Sequence, residues 1–325
     1  MGWWQVSADT LAGSRFVISP LAETTASLLA LEHGVAAHPG ERQWLDAHQA
    51  AYRAYASDHP VIPALMRAAA ARHWVPAAIT APPVSGGDGR EASFREELSD
   101  LANVAPSAIA ADLAEAGLRV TADGLPRLAA DLLAWVWENT VLEYWPVRRR
   151  ILEADIVART TRLGRGGWSE ALCDELRPGM RWLGNGRLQI NGLDRPPREI
   201  SGARLFFVPV TPSTGGWVAW DEPRRYALTY PCSGVLASRA DRAAAPETLA
   251  ALLGPARAVI LTQLAAPKTT TQLVALTGQR LGSVGRHLRI LLAAGLLERR
   301  RAGRAVLYRR SPAGDLLVRI QNEAG

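Results

Sequence analysis

Residues 269–310 read TTTQLVALTGQRLGSVGRHLRILLAAGLLERRRAGRAVLYRR and set the architecture of the C-terminal part of the chain. The apolar spacing predicts a short helix over Thr269–Leu276, with one of the three threonines at its start as the N-cap. Thr277–Gln279 forms a turn, and a second helix follows over Leu281–Ala294. Gly295 stands where a helix C-terminus favours glycine. The stretch therefore begins with a helix-turn-helix pattern.

The flanking residues extend this pattern on both sides. A preceding helix is predicted over Pro246–Ala265, and Pro267 ends it. After the motif, Leu296–Arg301 and Arg304–Arg310 form two strands around a glycine turn, and Pro312–Asn322 forms a closing helix. Three helices, a β-hairpin and a closing helix, in that order, are typical of a winged helix-turn-helix whose wing is the hairpin.

The helix over Leu281–Ala294 is amphipathic, with an apolar stripe that packs inward and a polar side that carries arginines. The stripe consists of Leu281, Val284, Leu288, Leu291 and Leu292. A helix of this kind fits the major groove of DNA. We expect contacts to base edges or nearby phosphates from Ser283, Arg286 and His287. Contacts to the DNA backbone are expected from Gln279, Arg280, Arg289, Arg300, Arg301 and Arg304.

Positive charge is concentrated in the same part of the chain. Residues 246–325 contain eleven arginines and one lysine against four carboxylates, a net charge of +8, whereas the whole chain carries +6. The first 245 residues are therefore slightly acidic. A basic module joined to a nearly neutral one is typical of a protein that binds a polyanion through one domain. We therefore place a DNA-binding domain at residues 246–325.

The segment Gly254–Gly314 resembles the winged-helix domain of the ArsR family of bacterial repressors. Val284–Leu288, followed by Ala294–Leu297, looks like the family's recognition helix and its exit into the wing, and Arg300–Arg309 looks like the wing strands. The resemblance implies binding to a double-stranded DNA operator as a symmetric homodimer, with repression released by a ligand. The module has no cysteine and a single histidine, so it lacks the ligand sets of the family's metal sensors.

Gly282 and Gly285 depart from the family, in which serine or threonine is common at these positions. Each glycine costs a helix roughly 0.5–1 kcal/mol relative to alanine. Two explanations stay open: the glycines allow close approach of the backbone, or the helix becomes firm only on DNA.

Residues 1–245 are predicted to form a helix-rich domain with a small antiparallel sheet, so the fold class is mainly α with small β. Helices are indicated over Glu23–His33, Arg42–Tyr55 and much of Ser93–Arg162. Short strands are indicated at Leu188–Ile190, Arg204–Val210, Trp217–Trp220 and Arg225–Tyr230. The region more loosely resembles an uncharacterised domain fused to winged helices in actinobacterial regulators. We assign it dimerisation, ligand sensing or both.

The chain has eleven tryptophans, and all of them precede the DNA-binding domain. Most are expected to serve in cores and interfaces, because indole rings bury large apolar areas. An alternative is an aromatic pocket for an apolar or cationic small-molecule effector. The candidate residues crowd one helical region: Trp135, Trp137, Tyr144 and Trp145.

Other function classes find little support in the sequence. The five histidines among the first 73 residues lack metal-ligand spacing, and no phosphate-binding glycine motif or nucleophile elbow occurs. We therefore expect no metal, no cofactor and no enzymatic activity. The chain start lacks a secretory signal, and the longest uncharged run is broken by prolines, so we expect a cytoplasmic protein without a membrane span.

Two alternatives to a regulator stay open. One is an enzyme in the N-terminal domain fused to a DNA-binding tail, although no catalytic motif supports it. The other is a winged-helix module for protein interaction or dimerisation without specific DNA binding, against which the basic wing argues.

Overall fold

The computed structural model describes residues 2–37, 39–84, 91–172, 179–192, 196–221, 225–232, 246–265, 267–302 and 305–323. Helices predominate within these ranges and the sheets are small, which confirms the predicted class, mainly α with small β. Buried apolar side chains form three clusters, two in the N-terminal region and a third in the C-terminal module.

The N-terminal region is built mainly from helices that surround one buried central helix. The helices are α1 (Ala8–Ala12), α2 (Pro20–His33), α3 (Pro39–Asp58), α4 (Val61–Ala70), α5 (Phe94–Ala102), α6 (Pro106–Glu115), α7 (Leu125–Val136) and α8 (Trp145–Ala171). A π-helical segment, Trp137–Val141, joins the end of α7 to the start of α8.

Helix α2 is the central helix, and it is buried on every side although it carries a carboxylate, Glu23. Ser19 caps it by accepting a hydrogen bond from the Ala22 N–H, and Gly34 ends it in the left-handed conformation at φ +66°. Every residue from Pro20 to Leu31 is buried. A helix that is buried all round packs against neighbours on all sides, here α3, α5 and α7 and one sheet.

Two four-stranded sheets complete the N-terminal region. Their strands are β1 (Trp3–Gln5), β2 (Arg15–Phe16), β3 (Arg181–Gly184), β4 (Arg187–Gln189), β5 (Arg198–Glu199), β6 (Arg204–Val210), β7 (Trp217–Asp221) and β8 (Arg225–Pro231). The strand orders are β3-β4-β1-β5 and β2-β6-β8-β7.

The prediction of one antiparallel sheet was wrong in its pairing. Strand β6 pairs with β8 in parallel, and only β7 pairs with β8 as an antiparallel hairpin neighbour. The reason lies in burial, because β6 and β8 are covered on both faces, as parallel strands usually are. Four strands, β1, β2, β3 and β5, were not predicted, since two to four residues give only a weak alternation signal.

Strand β6 separates the two N-terminal cores. Phe206 and Val208 belong to the helical core around α2, whereas Leu205 and Phe207 belong to the core between the two sheets. Alternate residues of a strand point to opposite faces, so one apolar strand serves both cores.

The C-terminal module follows the predicted element order. Its elements are α9 (Glu247–Leu253), α10 (Pro255–Gln263), β9 (Lys268–Thr269), α11 (Thr270–Thr277), α12 (Leu281–Ala293), β10 (Leu297–Ala302), β11 (Ala305–Arg310) and α13 (Pro312–Glu323). The single helix predicted over Pro246–Ala265 was wrong. Gly254 adopts φ +82° and Pro255 lacks a backbone N–H, so the chain breaks there into α9 and α10.

The third core connects this module to the rest of the molecule. Its buried members lie in α9–α13 and β10, except for Ala154 of α8, which packs into the same cluster. Helix α11 lies directly against α8. The predicted domain boundary near residue 245 lies among residues that the structure does not describe, so it stays a prediction.

A buried ion pair fixes α8 against α2. Nη1 of Arg148 lies 2.7 Å from Oε1 of Glu23 and 2.6 Å from the Ser27 hydroxyl, and both charged side chains are fully buried. Glu23 also accepts hydrogen bonds from the N–H and hydroxyl of Thr211, and the guanidinium lies over the Trp44 ring. The pair therefore joins α2, α8 and the end of β6.

We predict that Arg148→Met lowers the free energy of unfolding by about 3–5 kcal/mol, because it leaves the Glu23 carboxylate buried without its cation. The matched control is Arg150→Met, two residues along the same helix, where the side chain is exposed. The control should stay within about 0.5 kcal/mol of the wild type. Urea unfolding followed by circular dichroism measures both, and equal stability of the two variants would contradict the prediction.

Candidate nucleic-acid interface

Helix α11 begins and ends with local signals that the sequence carries. The Thr269 hydroxyl accepts a hydrogen bond from the Gln272 N–H, and the Gln272 side chain accepts one from the Thr269 N–H, so the two form a capping box. Gly278 ends the helix at φ +69°, and its N–H donates to the Val274 carbonyl. The chain then turns sharply into α12.

Helix α12 presents one apolar face to the core and one polar face outward, as predicted. Val284, Leu288 and Leu291 are almost completely buried against the other helices of the module. Ala294 and Gly295 end the helix, and Gly295 takes the left-handed conformation at φ +69°. The packing of the inner face leaves the opposite face free for a partner.

The exposed face of α12 carries the residues predicted to contact DNA. Arg280, Arg286 and Arg289 are exposed, and none of them forms an ion pair within the described part of the chain. A Cβ atom added at Gly282 or at Gly285 would meet no protein atom within 4 Å. Packing within the protein therefore does not require glycine at either position.

Three half-buried side chains form a polar row beside the arginines. The Ser283 hydroxyl lies 3.4 Å from Oε1 of Gln279 and 3.2 Å from Nε2 of His287. The residues are spaced four apart, which places them above one another on one helix face. The row offers an amide, a hydroxyl and an imidazole, groups that hydrogen-bond to base edges.

His287 contributes hydrogen bonds to this face and no charge. Partial burial lowers the pKa of its imidazole below the ordinary value, and the positive charges of Arg257 and Arg286 lower this pKa further. The ring is therefore neutral at pH 7, with one nitrogen as donor and the other as acceptor. Its Nδ1 atom is buried without a hydrogen-bond partner in the described structure.

The wing is a regular antiparallel hairpin. Arg299 stands opposite Tyr308 and Arg301 opposite Val306, while Arg300 stands opposite Leu307. Because neighbouring residues of a strand point to opposite faces, Arg300 lies on one face of the hairpin and Arg301 on the other. Both side chains are exposed. Arg304, the third predicted wing contact, lies outside the described residues.

Two arginines of strand β11 form ion pairs with carboxylates. Nε of Arg309 donates to Glu298 at 2.9 Å, and Nε of Arg310 lies 3.1 Å from Asp315. The strand β9, which was not predicted, pairs with β11 and ties the wing to the start of α11. It was missed because two residues show no periodicity.

The four predicted ligand residues do not lie together. Trp137 and Trp145 line an open groove of about 620 Å³, where Phe94 stacks on Trp137 at 4.5 Å between ring centroids. Trp135 instead stacks on Tyr55 at 4.6 Å, and Tyr144 meets the ring of His48. Residues two apart on a helix point to different sides, which separates Trp135 from Trp137. No local sequence signal places Phe94 in the groove, because it belongs to a different helix.

The described residues contain neither a metal-binding cluster nor a membrane-spanning helix. No three His, Cys, Asp or Glu side chains converge there to hold a metal ion. No helix of the described ranges is both long and apolar enough to cross a bilayer. His38 and Cys173 lie outside these ranges.

Comparison with known proteins supports one part of the chain. A family model described as a helix-turn-helix domain matches residues 252–300, which span α10, α11, α12 and the start of β10. No curated protein and no solved structure matches the chain. The chain therefore carries a helix-turn-helix domain, the module with which many transcription regulators bind DNA.

Proposed function

We propose that this protein is a ligand-responsive transcriptional repressor that binds a double-stranded DNA operator as a homodimer, as its resemblance to the ArsR family implies. Helix α12 enters the major groove and the β10–β11 hairpin follows the backbone. The observation that carries the proposal is the division of α12 into a buried apolar face and an exposed face with three unpaired arginines. The role requires no cofactor, no catalytic activity and no membrane, and we place the protein in the cytoplasm.

The contacts divide by the chemistry of each side chain. Arg286 has the planar fork that donates two parallel hydrogen bonds to guanine, and the Ser283–His287 row provides uncharged donors and acceptors beside it. These three residues contact base edges or nearby phosphates. Gln279, Arg280 and Arg289 bind the backbone at the ends and side of the helix. Arg300, Arg301 and Arg304 bind it from the wing.

We predict that Arg286→Ala reduces discrimination between operator and random DNA by about 1–3 kcal/mol, because a base contact is lost. Arg300→Gln should weaken binding to both sequences alike and lower the slope of log K against log salt by about 0.9, because one phosphate contact is lost. Fluorescence anisotropy with both duplexes over a salt series measures both effects. Equal loss of specific and random binding in the two variants would reject this division.

The candidate surface for homodimer formation lies on helices α9 and α13 of the C-terminal module. Leu252 of α9 and Leu316 and Ile320 of α13 are 49–62% exposed, and α9 packs against α13. Single exposed apolar residues are common, but three on adjoining helices favour a protein interface. A second copy covers this surface best, because a symmetric operator is read by two copies of one domain.

In sedimentation equilibrium we expect twice the 35.0 kDa mass of one chain for the wild type and a single chain mass for the double variant Leu316→Lys/Ile320→Lys. Two lysines on the exposed face of α13 introduce charge repulsion across the interface. The matched control, Val61→Lys, changes an apolar residue that is 49% exposed on α4 and should remain dimeric. A monomeric wild type, or a double variant that stays dimeric, would contradict this interface.

The effector site is the groove between α5, the π-helical segment and α8. Three aromatic rings line it: Phe94 lies flat on Trp137, and Trp145 meets Trp137 edge to face at 5.3 Å. Charged residues also line the groove: two carboxylates, Glu91 and Glu138, and two guanidinium groups, Arg95 and Arg149, of which Arg149 is paired with Glu91. The lining charges balance, so the aromatic faces decide the preference. Because aromatic faces attract cations, the proposed ligand is an apolar cation with aromatic groups.

Helix α8 connects this groove to the DNA-binding module. Trp145 lines the groove in the first turn of α8, and Ala154, nine residues later, packs into the third core. A ligand that shifts the start of α8 therefore also shifts the surface of α8 against which α11 packs. Release of DNA by the effector follows if the ligand and the DNA favour different positions of α8.

We predict that tetraphenylphosphonium quenches tryptophan fluorescence of the wild type and weakens its DNA binding, whereas tetraphenylborate, of the same shape and opposite charge, does neither. Trp145→Leu should raise the Kd for the cation roughly three- to thirtyfold, because a ring of the cation site is lost. Trp135→Leu is the control, since that ring stacks on Tyr55 outside the groove. Equal binding of cation and anion, or equal effects of both variants, would reject the cation site.

A further inference from the structure

Three consecutive arginines of α8 have three different environments. Arg148 is buried with Glu23, and Arg149 is exposed but lies 2.7 Å from Glu91 and 2.9 Å from Glu153. Arg150 is exposed and makes no hydrogen bond or ion pair within the described part of the chain. Fold stability and surface pairing thus account for the first two arginines, and neither accounts for the third.

Arg150 lies beside the turn of the helix-turn-helix. A Cβ atom at Gly278 would stand 3.4 Å from Nη1 of Arg150, so the guanidinium lies against this glycine. Gly278 ends α11 and immediately precedes Gln279 and Arg280, at the start of α12. An arginine of the N-terminal region therefore adjoins the two residues that begin the DNA-contacting face.

The contact with the turn is not a structural cap. Arginine near the end of a helix commonly donates hydrogen bonds to the last free carbonyls and stabilises them. Arg150 makes no such bond within the described residues, although its guanidinium lies against Gly278. Its five donors remain available to an acceptor outside the protein, and the neighbouring residues Gln279 and Arg280 point to the same kind of acceptor.

We propose that the DNA-binding surface continues from the C-terminal module onto α8, and that Arg150 binds a backbone phosphate of the operator. The inference rests on the proposed function, because it takes double-stranded DNA as the partner of α12. In helix-turn-helix complexes the recognition helix inserts its N-terminal residues into the major groove while the preceding helix crosses the backbone. A guanidinium at the turn between these helices thus lies beside the phosphodiester chain.

The consequence is that the N-terminal region contributes directly to operator affinity. Arg150 adds one cation to a surface whose other predicted contacts all lie in residues 279–304. It contributes no base contact, because α8 does not enter the groove. Its contribution is therefore equal for every DNA sequence and depends on salt.

The test uses the full chain with Arg150→Gln, Arg150→Lys and Arg127→Gln. Arg127, on α7, is also exposed and unpaired within the described residues, so its variant controls for the loss of one surface charge. Anisotropy titrations with one operator duplex and one random duplex, from about 0.05 to 0.3 M salt, give the slope of log K against log salt. Thermal unfolding confirms that each variant folds as the wild type does.

We expect Arg150→Gln to lower the slope by about 0.9 and the affinity about fivefold at 0.15 M salt, for both duplexes alike. Arg150→Lys should keep the wild-type slope, since an ammonium also binds phosphate, and Arg127→Gln should keep both slope and affinity. An unchanged slope in Arg150→Gln, or an equal fall in Arg127→Gln, overturns the inference and leaves the proposed function intact. A wild type that binds neither duplex overturns both.

Discussion

The ion pair between Arg148 and Glu23 joins α8 to the central helix α2, and the rest of the structure depends on this connection. Both charges are fully buried, and the carboxylate also accepts two hydrogen bonds from Thr211. Removing either partner leaves a charge without compensation in the core, whereas the intact pair joins α8 to α2.

Helix α8 adjoins three other parts of the molecule. Its first turn carries a ring of the aromatic groove, its exposed side carries Arg150 at the turn of the helix-turn-helix, and Ala154 enters the core of the C-terminal module. One stiff helix therefore lies in contact with both the proposed effector site and the proposed DNA surface. Trp145 of the groove and Arg150 at the helix-turn-helix are less than two turns apart on α8, so coupling between the two proposed sites needs no longer path.

Charge on the proposed DNA-contacting surface is distributed more selectively than the composition alone implies. Arg309 and Arg310 are paired with carboxylates, and His287 is held neutral by burial and by neighbouring arginines. Arg280, Arg286 and Arg289 at the start and along α12 form no ion pair within the described residues. In the proposed complex, Arg280 and Arg289 supply sequence-independent attraction to phosphates, whereas Arg286 and the uncharged row beside it contact base edges or nearby phosphates.

The sequence predicts the parts of this molecule that depend on local patterns. The caps at Thr269 and Gly295, the apolar stripe of α12 and the hairpin of the wing all follow from spacings of a few residues. Parallel pairing of β6 with β8, the break at Gly254, the separation of Trp135 from Trp137 and the place of Phe94 depend on tertiary packing. Periodicity carries no information on which distant segments meet, so those features require the structure.

Sequence-specific binding is the central claim, and selection from a random pool of DNA duplexes at about 0.15 M salt tests it most directly. A dimeric repressor predicts enrichment of one motif with two related half-sites about 10 base pairs apart, centre to centre, or a multiple of that spacing. Recovery of the pool without enrichment of any sequence would contradict this account and would favour a winged-helix module for protein interaction.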